Sequence, residues 1–453
     1  MNAPPADFLE RKQQELEWKL AGLPDELKRW RDLAGERNAL EKNHSQISRL
    51  SLQIEGLQAL VTSEFDQAVK DDDLWRLAES LEKKALIIHT VWDQFRGRLS
   101  LRLISPFDTY LALADAYARE CYVPVYRELR KVASDQLCPA PLITFDQETS
   151  PWMKPESAGQ QAGDGDGLLT FQQFQDALDQ LPLTLLGLPW SYVTYLPHIA
   201  LLAHEVGHAI ERNAALTGQL DAAIKRMPID DEKRRPAWLA WRKEVFADWY
   251  GCAMGGPAFA WSLVDYLAND KDRIAAQKRP YENGSWGAYP TAMVRVLFVC
   301  EVLRGMGLAA EADSVAETWL RAYPGNALDG YNRDFDAVAN GFLDVVDLRQ
   351  PQYQAFLRPA MTVSDGIAML YRAGGTLRQD EPKPARAYVT AARLIAQTPP
   401  VNIPVQTLWQ QLREHHLTSR PPGVAGAKAP GPIADHDAAA RIESLAKTLF
   451  ANL

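Results

Sequence analysis

The chain has 453 residues, 47% of them hydrophobic and 24% charged, and a net charge of -9 from 49 basic and 58 acidic side chains. That length buries a sizeable core, as two or three domains or as one core with helical additions, while the scattered charge lacks the concentrated basic face that nucleic acid requires. No run approaches the roughly 20 apolar residues that span a bilayer, the start MNAPPADFLERKQQELEW has no apolar stretch of signal-peptide length, and Cys121, Cys138, Cys252 and Cys300 stand far apart, as reduced, buried thiols of a cytoplasmic protein would.

Residues 1–103 read as a helical hairpin or coiled-coil arm. Leu16, Leu20, Leu23, Leu27 and Trp30 step by four and three, and so do Leu40, Ile47, Leu50, Ile54, Leu57 and Val61. Gly22 and Pro24 are expected to break the first helix, and Asp71, Asp72 and Asp73 suit the start of a third. A further helical pattern runs from Pro106 to Val132. Leu142 to Phe145, within PLITF, is the best strand candidate. The loop Ser157 to Gly167 contains Asp-Gly-Asp-Gly, but it lacks the later glutamate of a calcium loop, so calcium is not expected there.

Residues 104–325 are assigned to a core domain and 326–418 to a helical C-terminal region. A Pro, Gly and Ala linker over 419–435 then leads to an amphipathic helix over 436–453, with Ile442, Leu445 and Leu449 on one face. The expected fold is mainly α (α+β) with a small sheet.

One stretch asks for a chemical explanation. PHIALLAHEVGHAIERN carries His204, Glu205 and His208 within an apolar run. Residues four apart on a helix lie about 40° apart on one face, so the two imidazoles can share one tetrahedral zinc ion. Glu205, beside the first histidine, could then take a proton from a water on the metal: the H-E-x-x-H pattern. A hydrolytic zinc site needs a third protein ligand. AIERNAAL, after His208, supplies neither the Gly nor the His of the metzincin pattern. A later helix, AWRKEVFADWYGC, supplies Glu244 as ligand. One turn on, Asp248 can accept a hydrogen bond from a ligating histidine. Both acids stand among apolar neighbours, where an unpaired carboxylate is rarely buried.

In His204, Glu205, His208, Glu244 and Asp248 the sequence resembles the gluzincin zinc metallopeptidases, over roughly residues 197–302. The resemblance implies a zincin-like core whose edge strand aligns a peptide substrate, with PLITF the strand that can be named. Many zinc peptidases of this broad type carry a His-Pro…Arg segment near the place where this chain reads Tyr-Pro-Thr with Arg295 following. Tyr289 is thereby expected to donate to the oxyanion, and Arg295 to brace the site by pairing with a carboxylate.

The function expected is zinc-dependent hydrolysis of a peptide or protein, with Glu205 as general base. The alternative is a regulatory or scaffold protein that keeps a zinc site and binds a partner through residues 1–103. His198, after Pro197, is expected near a helix start rather than on the metal. The adjacent His415 and His416 are expected at the surface.

Overall fold

The leucine spacing of the first hundred residues builds three long helices, α1 (Ala6–Leu33), α2 (His44–Lys70) and α3 (Leu74–Ser100), each packed on the other two. These coordinates are a computed structural model, which describes residues 6–36, 38–130, 138–147, 151–153, 169–181, 183–229, 231–277, 286–325, 328–347, 351–419, 438–451 and 453. The loop Ser157 to Gly167 and all of the linker but Ser419 lie outside the described residues.

Gly22 and Pro24 do not break the first helix, which continues through both. Proline removes the N–H that would bond the carbonyl four residues earlier. Here the freed Leu20 carbonyl accepts instead from Gln58 Nε2 of α2, at 2.9 Å. A neighbouring helix thus repairs the defect, and the expected hairpin is a three-helix bundle.

The next elements are α4 (Phe107–Arg130), β1 (Leu142–Asp146), β2 (Trp152–Met153), α5 (Phe171–Gln180) and β3 (Leu185–Pro189). They form a sheet of order β1-β3-β2, with β1 parallel and β2 antiparallel to the central β3. Side chains alternate across a strand, and this sheet uses both faces. Leu142 and its partner Leu185 join the apolar cluster of the three-helix bundle, whereas Ile143, Phe145, Leu186 and Leu188 join the larger cluster behind. The sheet is therefore a partition between two cores. β3, buried on both faces, has no polar alternation to mark it as a strand.

The larger core is built from α6 (Leu202–Asn213), α7 (Thr217–Arg226), α8 (Arg235–Leu267), α9 (Lys271–Ala275), α10 (Ala292–Gly305), α11 (Ala309–Ala322) and α12 (Phe335–Val346). It continues through α13 (Pro351–Arg372), α14 (Ala385–Gln397) and α15 (Val405–Thr418). Residues 326–418 share this core with 104–325 rather than building one of their own. α8 kinks at Gly256, whose φ of +56° only glycine adopts freely, and Arg386 of α14 donates to the Met254 carbonyl at the kink (3.0 Å). The last helix, α16 (Ala438–Leu449), returns to α2 and α5, where Ile442 occupies the space a side chain on Gly56 would fill. Among the described residues no helix is long and apolar enough to cross a membrane.

A buried polar knot ties the N-terminal bundle to the sheet. Arg102, just past α3, grips the Asp115 carboxylate with two bonds of 2.8 Å and also donates to the Ile143 carbonyl at 2.7 Å. Asn43 adds a bond to Asp115 at 3.3 Å. Removing one partner of a buried pair leaves an uncompensated charge. Arg102→Met is therefore expected to lower stability by about 3–5 kcal/mol in urea unfolding, and Arg102→Met with Asp115→Leu to recover much of that loss. Equal losses in the single and double variants would contradict this account.

Candidate metal centre

Every residue of α6 from Leu202 to Glu211 is buried. A 3-10 turn over Leu196–Leu201, with Pro197 near its start, leads into the helix. Its end is a reversed turn: Ala215 takes a φ of +56°, and the Leu216 N–H bonds back to the Glu211 carbonyl at 2.9 Å. α8 lies antiparallel against it, since His204 meets Asp248 while His208 meets Glu244. The two backbones come together at Gly207. A Cβ there would stand 3.0 Å from Tyr250 Cβ and 3.1 Å from Ala247 Cα.

This packing brings the three expected ligands to one point. His204 Nε2 and His208 Nε2 are 3.1 Å apart, and Glu244 Oε2 is 3.3 Å from the first and 3.6 Å from the second. Corners of a tetrahedron about 2.0–2.1 Å from a central ion are roughly 3.3 Å apart. The buried His204, His208 and Glu244 group can thus hold a metal ion with little rearrangement. On the far side of His208, Nδ1 is buried and has no hydrogen-bond partner among the described residues, so within these the ring's polar contacts lie on the side of His204 and Glu244.

Behind the ligands the charges are ordered. His204 Nδ1 lies 2.9 Å from Asp248 Oδ1, which fixes Nδ1 as the protonated nitrogen and leaves Nε2 facing the group. Asp248 is fully buried and is held from its other side by Arg295, through bonds of 2.6 and 2.7 Å. Burial alone would depress the His204 imidazole, but Asp248 and Glu244 outweigh it and lift it to about 9. Burial would raise Glu244, yet the two imidazoles hold it well below the usual carboxylate range. Asp248 is likewise lowered, against burial, by Arg295 and His204. Burial opposes the charge of Arg295, which Asp248 nonetheless stabilises above its ordinary value.

Glu205 is buried on α6 and makes no hydrogen bond or ion pair among the described residues. Tyr289 is 60% exposed, with its ring beside the Arg295 guanidinium at 5.8 Å. Partial burial and the charge of Glu244 push its phenol up to about 12.

Sequence reasoning missed Tyr192 and Tyr266. Burial raises the Tyr192 phenol, with Tyr266 and Glu205 adding to the effect, so the fold brings it within electrostatic reach of Glu205. His198 packs between the rings of Tyr192 and Tyr195, 4.5 Å from each, away from the ligand group. His415 is not at the surface: it is buried and bonded to Tyr388 and to the Arg378 carbonyl, both at 2.8 Å. PLITF forms β1, at the edge of the sheet against α4, while the edge packed on α6 is β2. The strand expected to align a substrate is therefore at the sheet edge opposite the one that packs on α6. Compared with protein-family models, curated proteins and solved structures, the chain matches none.

Two outcomes follow from this geometry. Gly207→Val forces α6 from α8, so it is expected to cost about 1–3 kcal/mol and to abolish metal binding in equilibrium dialysis. Retained binding would show that the close approach is dispensable. In metal-free protein, a His204 pKa raised from 6.5 to about 9 adds stability that is complete below pH 6.5 and lost as pH rises through 9. The stability gap between wild type and His204→Gln, measured by urea unfolding in chelator, should narrow across that window. A gap independent of pH would refute the assignment.

Proposed function

We propose that this protein is a zinc-dependent metallopeptidase of the gluzincin kind, with a zincin-like core formed by the small sheet, α6 and α8. The observation that carries the proposal is the triangle of His204, His208 and Glu244, with Asp248 behind His204 and, on the same helix, a buried Glu205 that has no partner among the described residues. Two imidazoles and one carboxylate are a donor set suited to hydrolytic zinc. Bound there, zinc would supply Lewis acidity, making a water more acidic and a peptide carbonyl more electrophilic.

The chain's own groups do the rest. Glu205 takes the proton of the attacking water and delivers it to the departing amine. Asp248 holds His204 in one tautomer and orientation, and Arg295 balances the buried charge of Asp248. Tyr289 donates a hydrogen bond to the carbonyl oxygen as it becomes negative. The substrate is a peptide or protein, and β2 is the strand along which it would pair.

Glu205→Gln preserves shape and removes the base. The purified protein is expected to hold one zinc per chain by elemental analysis in both forms. Cleavage of a peptide library is expected to fall by about 10²–10⁴-fold in the variant. A wild type without stoichiometric zinc, or a variant with undiminished cleavage, would sink the proposal.

A second function, partner binding through the N-terminal helices, is favoured by the exposure of Trp18 (70%), Trp75 (50%) and Leu86 (53%). Its variants are surface changes such as Trp18→Ser, because deleting residues 1–103 would also strip Arg102 from Asp115.

A further inference from the structure

The antiparallel register of α6 and α8 continues one rung past the ligands. Glu211 stands seven residues after His204, on the same stripe of α6, and is 5% exposed. Its Oε1 accepts from Arg242 Nη1, two residues before Glu244 on α8, and from Thr217 Oγ1 at the start of α7 (2.9 Å). Arg242 Nε also lies 2.8 Å from Asp221 Oδ1 of α7. The rungs are then Asp248 with His204, Glu244 with His208, and Arg242 with Glu211.

Among the described residues the third rung makes no hydrogen bond or ion pair to a ligand, and stability alone is a weak reason for it, since a buried ion pair is often no better than apolar residues of the same volume. Directional bonding distinguishes it. The apolar contacts between α6 and α8 are close-packed but non-directional, whereas a charged pair held from two sides adds a directional restraint on their register. The ligand triangle depends on that register, because two of its corners ride on α6 and the third on α8.

We propose that Glu211 and Arg242 are positioning residues for the metal centre: they pin the register of α6 against α8 and so govern how tightly the metal is held. The inference rests on the metal-binding part of the proposed function, and zinc alone is its probe. In the full chain, Glu211→Gln and Arg242→Gln are each expected to weaken zinc binding about tenfold in competition with a chromophoric chelator. Each zinc-free single variant leaves one charge of the pair without its partner, so its thermal midpoint should fall, whereas the double variant, which removes both charges, should recover most of the midpoint and none of the zinc affinity. The double variant should bind zinc no more weakly than either single one, because the two side chains act as one unit. Arg242→Lys, which keeps the charge and loses the fork, should recover part of the loss.

Unchanged zinc affinity in both single variants overturns the proposal, as does a double variant whose zinc affinity recovers together with its zinc-free midpoint. Full additivity in the double variant also overturns it. If wild type itself binds no zinc, the metal reading falls and this inference with it. If wild type binds zinc and the variants bind as tightly, only the inference falls.

Discussion

The closeness of α6 and α8 at Gly207 is the constraint on which the site depends. Helices usually pack 8–10 Å apart, at a distance set by the side chains between them. Here the contact is a backbone hydrogen against Ala247 and the Tyr250 Cβ, and side chains on either side of it are brought into direct contact. His204 and His208 flank this point on α6, and Glu244 and Asp248 flank it on α8. A larger residue at position 207 would separate all four at once. The buried, apolar remainder of both helices supplies the rigidity, for a close-packed interior permits few rotamers.

Electrostatics gives this arrangement a direction. Glu205, Glu244 and Asp248 crowd three carboxylates into one buried region, and Arg295 is the guanidinium among them. Asp248 and Glu244 favour further positive charge beside them, and the metal-free protein raises the His204 imidazole to about 9. The proton there occupies the role a divalent cation would take. Asp248 faces both sides of the problem: it stabilises charge on His204 and is itself stabilised by Arg295. A metal ion bound at His204 would therefore compete with that proton for the same imidazole, and its affinity would depend on pH.

Features set by local spacing were legible in the sequence, and those set by distant partners were not. The four-residue steps of His204 to His208 and of Glu244 to Asp248 are helix geometry, and they carried over directly. The leucine ladders and the α16 stripe of Ile442, Leu445 and Leu449 did so for the same reason. Pro24 misled because its repair comes from Gln58, thirty-four residues on. β3 escaped notice because a strand buried on both faces loses its alternation. His415 looked superficial beside His416, but its partners Tyr388 and Arg378 come from other segments. Which strand lies beside α6 could not be chosen from composition, since PLITF is the stronger strand by propensity and β2 has only two residues.

The partition made by the sheet bears on what the N-terminal bundle is for. A detachable arm would meet the body through an exposed, modest interface. This bundle instead shares Leu142 and Leu185 with the sheet, and Arg102 threads its charge onto Asp115 and the β1 backbone. β1 pairs with β3, β3 with β2, and β2 packs on α6. The position of the strand beside the candidate metal centre is thus set by packing on both faces of the sheet, one of which belongs to the bundle. Without the bundle, Leu142 and Leu185 would face water and the Asp115 carboxylate would lose its guanidinium. Its first role is accordingly to complete the second core, and any partner surface on Trp18 or Trp75 is carried on the outside of a structural element.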